Sequence, residues 1–144
     1  VYIMIPTGTW VALTGDLNWG VTWLGIGAMF WVAGFDIIYA TADIDIDRAQ
    51  GLNSIPSRFG IRAALWISRS FHTMTVIALV IAGALLEVHA LYYVGVGAAA
   101  LLLTYEQRLI SPTDLSRLGA AFFTMNGVIA VVFVGFVIAG TLVN

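Results

Sequence analysis

Four aspartates fall within one stretch of twelve residues. They are Asp36, Asp43, Asp45 and Asp47. In an unbroken α-helix, which turns about 100° per residue, Asp36, Asp43 and Asp47 project within roughly 20° of one direction. Asp45 then points to the opposite side of the helix. We therefore expect three of the four carboxylates to share one polar pocket.

Asp43 and Asp47 are one helical turn apart, about 6 Å along the axis. Two carboxylates at this spacing repel each other as bare anions, and a divalent cation between them removes the repulsion. Mg²⁺ takes oxygen ligands, usually one or two carboxylates together with phosphate oxygens and water. The spacing therefore predicts that Asp43 and Asp47 hold Mg²⁺. The competing interpretation, a solvated end of a membrane helix, suits Asp45 best and stays open for the pair.

Asp36 follows an apolar run from Phe30 to Phe35. A carboxylate in such a run is expensive in lipid, so we expect Asp36 to face a cavity and to carry function. Arg48 and Arg58 follow the aspartates and have the planar geometry that binds a diphosphate through paired hydrogen bonds. The same arginines also fit as topology signals at a membrane surface, and both interpretations stay open.

The elements that position these residues are expected to lie in lipid. The chain has 144 residues, of which 60% are hydrophobic and 10% charged, against about 25% charged in an ordinary soluble domain. Mean hydropathy is +0.96, and a soluble fold of this length could not hide so much apolar surface. The absence of cysteine excludes a disulfide framework, a thiolate zinc site and a cysteine nucleophile. A net charge of −2 gives no indication of nucleic-acid binding.

We predict an all-α fold, a multi-span transmembrane helical bundle that forms a single membrane domain over residues 1–144. A span needs about 20 mostly apolar residues, and about five segments qualify or come close. They are residues 1–14, a stretch from residue 19 into the aspartates, 63–86, 91–105 and 118–143. Residues 51–60, with a glycine at each end, are predicted to be an irregular loop. The small residues of Gly25–Ala28 and Gly95–Ala100 predict close helix packing.

All six basic residues are arginines, and they fall in or near two of the four connections between the predicted spans. The first group is Arg48, Arg58, Arg62 and Arg69, and the second is Arg108 and Arg117. Both connections must lie on one side of the membrane, and the positive-inside rule makes that side cytoplasmic. The N-terminus of the chain is then inside, the C-terminus outside, and the aspartate segment on the cytoplasmic side.

The pattern Asp36-x-x-Tyr39-x-x-x-Asp43-x-x-x-Asp47 is followed at residues 51–60 by Gly-Leu-Asn-Ser-Ile-Pro-Ser-Arg-Phe-Gly. Together they resemble the second aspartate motif of the UbiA-type intramembrane prenyltransferases, and the 4-hydroxybenzoate polyprenyltransferase branch is the most similar. The resemblance extends along most of the chain. Further similar segments are residues 12–15, 31–36, 105–106 and 121–127.

The resemblance implies an all-helical fold of nine spans around a central cavity, in a bacterial-type inner membrane. It implies Mg²⁺-dependent transfer of a polyprenyl group from a polyprenyl diphosphate to an aromatic acid acceptor such as 4-hydroxybenzoate. That reaction belongs to quinone biosynthesis, of ubiquinone or menaquinone. The partners expected are thus the two substrates and the lipid bilayer, with no nucleic acid.

The resemblance also implies roles for individual residues. The catalytic residues would be Asp36, Asp43 and Asp47, with Asp43 and Asp47 holding Mg²⁺ on the diphosphate. Asp36 would line the cavity and deprotonate or orient the acceptor. The substrate-binding residues would be Tyr39, Ser54, Arg58 and Asn126. For Asn126, a hydrogen bond to a neighbouring helix is the alternative, and Ser54 is equally an ordinary loop residue.

The chain departs from the family in one respect. The family's first aspartate motif, Asn-x-x-x-Asp-x-x-x-Asp, is absent from it, and about five spans are present where nine are expected. We therefore expect a C-terminal portion whose N-terminal helices are missing and which is inactive alone. A homologue that has lost catalysis is the alternative.

Two other classes of protein fit the composition. A transporter or channel fragment would use the aspartates to relay ions or protons, whereas a non-catalytic membrane subunit would not need them. Two further polar residues lie in or beside the spans. His72 is predicted to be a helix-end polar residue and Glu106 to lie at the membrane interface.

Overall fold

A computed structural model describes residues 2–143, which form helices joined by short connections. A 3₁₀ turn, Ala40–Asp43, joins the second helix to the third, and a π-helical turn, Ala120–Met125, leads into the last. Residues 2–143 contain no β-sheet, only an isolated bridge between Ser111 and Asp114. The all-helical prediction is confirmed. The α-helices are α1 (Met4–Thr14), α2 (Trp19–Tyr39), α3 (Ile44–Ala49), α4 (Ile55–Leu86), α5 (Ala90–Arg108) and α6 (Asn126–Leu142).

Among residues 2–143, three helical stretches are long and apolar enough to cross a membrane, and they match the second, third and last predicted spans. They are Trp19–Ala49, Ile55–Leu86 and Ala120–Leu142. The first predicted span is the 11-residue α1, which is shorter than a bilayer requires. The fourth is α5, whose last turn carries Glu106, Gln107 and Arg108. With three such helices and its apolar composition, the chain is an integral membrane protein.

Helices α2 and α4 pack antiparallel along three glycines of α2, Gly20, Gly27 and Gly34, which we call the glycine seam. The α4 side chains opposite them are Leu86, Leu79 and His72. Both sets recur at intervals of about seven residues, which keeps them on one side of a helix that packs along a neighbour. A Cβ atom at Gly34 would collide with the His72 ring. The absence of side chains therefore lets the two backbones approach closely, as small residues do in lipid.

Polar side chains from α4 and α5 surround the Gly34 end of the seam. Ser68 Oγ donates to Gly34 O at 2.8 Å. Gln107 Nε2 donates to Ser68 Oγ at 2.7 Å and lies 3.0 Å from His72 Nδ1. All three side chains are buried. The prediction that His72 is a helix-end residue is therefore wrong, because it lies inside α4 between α2 and α5.

A three-residue turn, Glu87 to His89, joins α4 to α5. Glu87 ends α4 in the left-handed conformation, with φ of 51°. Tyr92 OH donates to Leu79 O at 2.9 Å, which ties the first turn of α5 back to α4. Tyr92 is accordingly buried at 4% exposure. The two helices form a closed antiparallel hairpin.

Helix α4 begins at Ile55, so the prediction of an irregular loop over residues 51–60 is wrong for its second half. Ser54 and Ser57 cap the helix reciprocally. Ser54 Oγ accepts from Ser57 N at 3.2 Å, and Ser57 Oγ accepts from Ser54 N at 2.9 Å. This capping box satisfies backbone N–H groups that have no helical partner. Gly60, with φ of 82° and ψ of 162°, then interrupts the helix.

A hydrogen bond joins α2 to the start of α6. Trp31 Nε1 donates to Asn126 Oδ1 at 2.9 Å, and Asn126 Nδ2 donates to Phe122 O at 2.7 Å. Of the two roles predicted for Asn126, the structure shows the hydrogen bond to a neighbouring helix. The substrate-binding role stays a prediction.

The connection between α5 and the π-helical turn has its own hydrogen bonds. Ser111 N donates to Asp114 O at 3.0 Å and Asp114 N to Ser111 O at 3.2 Å. Ser116 N donates to Asp114 Oδ1 at 2.9 Å. Hydrogen bonding by Ser116 lowers the pKa of Asp114 below its usual range, so this carboxylate is charged at neutral pH.

We expect Gly34→Ala to destabilise the protein by about 1–3 kcal/mol, the usual effect of overpacking, because the added methyl meets the His72 ring. Gly97→Ala is the matched control, since no atom lies within 4 Å of a Cβ built there. The measurement is the apparent melting temperature in detergent. Equal melting temperatures for the two variants would contradict the tight contact at the seam.

We expect the Trp31–Asn126 hydrogen bond to appear as a coupling energy of about 0.6–1.7 kcal/mol, the range for such bonds between membrane helices. The measurement is a double-mutant cycle of unfolding free energies with Trp31→Phe and Asn126→Ala. Trp23→Phe combined with Asn126→Ala serves as the control pair and should be additive. Additivity in the first cycle would show that the bond contributes nothing to stability.

Candidate active site

The aspartate segment leaves the end of α2 through the 3₁₀ turn. Asp36 lies in the last turn of α2, Asp43 ends the 3₁₀ turn and Asp47 lies in α3. A 3₁₀ helix turns about 120° per residue instead of about 100°. Asp43 and Asp47 therefore project about 60° and about 100° away from Asp36 around the axis. The assumption of an unbroken α-helix is wrong, and in ideal geometry the three carboxylates spread over about 100° instead of about 40°.

Asp36 points away from α4, since it lies about 200° around α2 from Gly34. Its side chain is exposed on the open side of the helices, as is that of Asp43, while Asp47 is half-buried. Asp45 is also exposed. The carboxylate of Asp36 is thus accessible to a ligand that approaches from the side opposite α4, and that of Asp43 is exposed as well.

Asp43 and Asp47 remain about one turn apart, because the residues after Asp43 form the short helix α3. Within residues 2–143, no three Asp, Glu or His side chains lie close enough to hold a metal ion together. The segment instead offers a pair of carboxylates, the number that Mg²⁺ usually takes from a protein alongside substrate phosphates and water. The donor set therefore fits Mg²⁺ bound together with a phosphate-bearing substrate.

Four aromatic rings beside Asp36 form a cluster that we call the aromatic wall: Phe35, Tyr39, Phe122 and Phe123. The ring centroids of Phe35 and Phe122 are 5.4 Å apart. Tyr39 and Phe122 are separated by 4.3 Å, and Phe122 and Phe123 by 4.8 Å. Tyr39 and Phe123 are 41% and 68% exposed, so the wall presents open ring surface next to the carboxylate.

The π-helical turn places two of these rings. It spans Ala120–Met125 and widens the helix locally, a feature common at functional sites. Phe122 packs against Phe35 and Tyr39 of α2, while the adjacent Phe123 still reaches Tyr39 at 6.4 Å between centroids. The sequence predicted a substrate-binding role for Tyr39 but gave no indication of the π-helical turn that brings Phe122 and Phe123 to it.

The remaining predicted residues lie at the start of α4. Arg58 is exposed in the first turn, with its guanidinium carbon 5.7 Å from the Phe59 ring centroid. Ser54 is used as the N-cap. Arg48 Nε donates to Ser57 O at 3.2 Å, which joins the end of α3 to α4. Arg48 and Ser54 therefore have local structural roles, in joining α3 to α4 and in capping α4. Arg58 is close to the aspartates in sequence, and its guanidinium remains exposed.

An apolar cavity of about 230 Å³ lies within the bundle. Helices α1, α2, α4, α5 and α6 all line it, with Trp31, Leu103 and Phe133 among the lining side chains. Trp31 is also the donor to Asn126, so the cavity adjoins the residues that hold α2 against α6. Its volume and apolar lining suit part of a hydrocarbon chain.

Glu106, in the last turn of α5, is fully buried among the helices, whereas the sequence predicted only that it lies at the membrane interface. Neither carboxylate oxygen has a hydrogen-bond partner within residues 2–143. The sequence carried a signal for this burial. Glu106 continues the helical spacing of the buried Ala99 and Leu103, which is the periodicity of an inward face.

The chain matches the model of the UbiA prenyltransferase family over residues 1–128. It is 34% identical over 139 residues to the 4-hydroxybenzoate solanesyltransferase of Synechocystis sp., covering 93% of this chain and 46% of that protein. The 4-hydroxybenzoate octaprenyltransferase of Vibrio campbellii is 32% identical over 130 residues, 90% of this chain and 45% of that protein. The corresponding enzyme of Aeromonas hydrophila is 36% identical over 119 residues, 82% of this chain and 41% of its own. No solved structure matches the chain.

The chain spans slightly less than half the length of these curated relatives. The family match nevertheless covers most of its own length and contains both the aspartate segment and the aromatic wall. The predicted resemblance is confirmed, and this chain belongs to the UbiA prenyltransferase family.

Proposed function

We propose that this chain forms part of a 4-hydroxybenzoate polyprenyltransferase of quinone biosynthesis. The observation that carries the proposal is that the exposed Asp36 and Asp43 and the aromatic wall lie at the same end of α2. Relatives named for transfer of solanesyl and octaprenyl groups to 4-hydroxybenzoate support the choice of acceptor. The substrates are then a polyprenyl diphosphate and 4-hydroxybenzoate.

The proposed reaction is an electrophilic aromatic substitution. The bond between the allylic carbon and the diphosphate oxygen breaks, and the diphosphate leaves with the bonding electrons. The allylic carbon becomes cation-like and forms a new bond to the ring carbon ortho to the phenol hydroxyl. That ring carbon then loses its proton, which restores aromaticity.

Asp43 and Asp47 hold Mg²⁺ on the diphosphate in this proposal, and Arg58 adds a guanidinium on the same side. When bound, Mg²⁺ neutralises the charge that builds on the leaving diphosphate. Asp36, exposed and turned away from α4, orients the acceptor or receives the ring proton. The exposure of Asp36 and Asp43 and the one-turn spacing of Asp43 and Asp47 support these roles.

The aromatic wall would stabilise the cation-like allylic carbon. The side chains of Tyr39 and Phe123 are exposed, and aromatic faces attract positive charge, by about 0.5–1 kcal/mol at an exposed site and more once further helices exclude water. Closely packed rings also exclude water, which would otherwise capture the cation. The neighbouring apolar cavity takes part of the polyprenyl chain.

The rest of the site is proposed to come from helices outside this chain. The relatives are about twice as long as the matched region, and we infer that preceding helices bring the family's first aspartate motif to the open side of α2. The protein is placed in a bacterial-type inner membrane, with the aspartate segment on the cytoplasmic side. The arginines beside that segment support this orientation.

The rival interpretations gain no support from the structure. A transporter fragment does not require arginines beside the acidic segment, yet Arg48 lies at the end of α3 and Arg58 in the first turn of α4. A non-catalytic subunit does not require exposed carboxylates beside aromatic rings.

Asp43→Asn combined with Asp47→Asn is expected to lower turnover by about 100-fold or more, the usual effect of removing transition-state electrostatics. The assay measures prenylated 4-hydroxybenzoate formed by the complete protein, with the sequence upstream of residue 1 included. Asp45→Asn is the matched control, since it removes one charge from the same segment and should keep turnover. Full turnover in the double variant would overturn the metal assignment.

Removal of divalent cations with a chelator is expected to abolish turnover, and added Mg²⁺ should restore it. In Asp43→Asn alone, the Mg²⁺ concentration for half-maximal rate should rise by about 10-fold or more, because a metal ligand is lost. An unchanged Mg²⁺ requirement in that variant, with turnover lowered, would place Asp43 in a role other than metal binding.

A further inference from the structure

A groove of about 530 Å³ lies between α4 and α5, lined by residues of these two helices alone. Arg69 and Arg108 lie at one end of it, and Ile77 and Ala100 lie towards the other. None of the lining residues belongs to the aspartate segment or the aromatic wall. The groove is therefore distinct from the aspartate segment and the aromatic wall, and it shares only Leu103 with the apolar cavity.

The two arginines lie at the same height in the hairpin. Arg108 is the last residue of α5, about 27 Å from its first residue at 1.5 Å per residue. Arg69 precedes the end of α4 by 17 residues, or about 26 Å. A three-residue turn joins the two helices. Both guanidiniums therefore lie about 30 Å from that turn, which is the thickness of the hydrocarbon core of a bilayer. This is the level of the lipid headgroups.

Trp66 marks the same level independently. Its side chain is 62% exposed, and the Arg69 guanidinium carbon lies 5.1 Å from the centroid of its ring. Exposed tryptophans are typical of the boundary between hydrocarbon and water. The arginine end of the groove therefore opens where lipid phosphates lie.

The groove changes from cationic to apolar along its length. Ile77 and Ala100 are each eight residues from the arginine on their own helix, about 12 Å closer to the bilayer centre. No acidic side chain lines the described groove, so the two positive charges face it without a carboxylate. Guanidinium groups match phosphate oxygens in paired hydrogen bonds, and basic pockets between membrane helices suit lipid headgroups.

We propose that this groove binds an anionic phospholipid, with its phosphate between Arg69 and Arg108 and an acyl chain along Ile77 and Ala100. A zwitterionic phospholipid fits the apolar part of the groove, but its headgroup cation offsets the charge of its phosphate, so we expect weaker binding at the arginines. Inorganic phosphate has no acyl chain to occupy the apolar part. The site is independent of prenyl transfer and remains whether or not that function holds.

The test measures lipid retained by the complete protein in native mass spectrometry, after incubation with equal amounts of phosphatidylglycerol and phosphatidylcholine. The wild type should retain phosphatidylglycerol in preference. Arg69→Gln combined with Arg108→Gln should weaken that binding by about 10- to 30-fold. Arg62→Gln combined with Arg117→Gln, two exposed positions with the same total charge change, should alter it by less than about twofold.

A second pair of variants separates the groove from general surface attraction. Ala100→Phe fills the apolar part and keeps both arginines, so it should also weaken binding. Leu101→Phe is the control, at a neighbouring position that is 74% exposed. Unchanged binding in Ala100→Phe, equal retention of the two lipids, or displacement of the lipid by millimolar inorganic phosphate would each overturn the proposal.

A labelling measurement tests whether other helices of the complete protein cover the groove. This chain has no cysteine, so Thr73→Cys places a reporter in the groove once any cysteines outside residues 1–144 have been replaced. A membrane-permeant maleimide should label it, and added phosphatidylglycerol should slow the reaction. Complete protection that persists after the bound lipid has been stripped with detergent would show that protein fills the groove and would overturn the proposal.

Discussion

The contact between α2 and α4 along the glycine seam determines where the aspartates point. Because Gly34 must face the His72 ring, Asp36, two residues later, is turned about 200° away from α4. The Ser68 hydroxyl and the Gln107 amide hold this contact from α4 and α5. A charged group that is costly in lipid is thereby kept on the open side of the helices, where a ligand or further helices can meet it.

Irregular backbone is concentrated around the same end of the bundle. The 3₁₀ turn precedes α3, Gly60 interrupts α4, and the π-helical turn precedes α6. Backbone that leaves the α-helix at membrane depth is tolerated only where protein buries it or where it borders a water-filled cavity. Two of these elements also place residues of the candidate site, because the 3₁₀ turn rotates Asp43 and Asp47 away from Asp36 and the π turn brings Phe122 to Tyr39.

The fold class and the family could be predicted from the sequence, because apolar composition and a short acidic motif are properties of neighbouring residues. The burial of Glu106 could also have been predicted from its helical spacing with Ala99 and Leu103. It was not, because a charged side chain is usually exposed. The rotation of Asp43 could not be predicted, since nothing in Ala40–Asp43 resembles a helix breaker. His72 was misjudged because its burial depends on Gly34, a residue that is distant in sequence.

The closed hairpin of α4 and α5 has a consequence for how the chain is inserted into a membrane. Helix α4 is apolar enough to partition by itself, whereas α5 ends in Glu106, Gln107 and Arg108. Because of the short turn and the hydrogen bond from Tyr92 OH to Leu79 O, α4 is the first helix against which α5 can pack. During biogenesis, we therefore expect α5 to leave the translocon together with α4. The polar turn at Glu87 then crosses the membrane in a single step that inserts both helices.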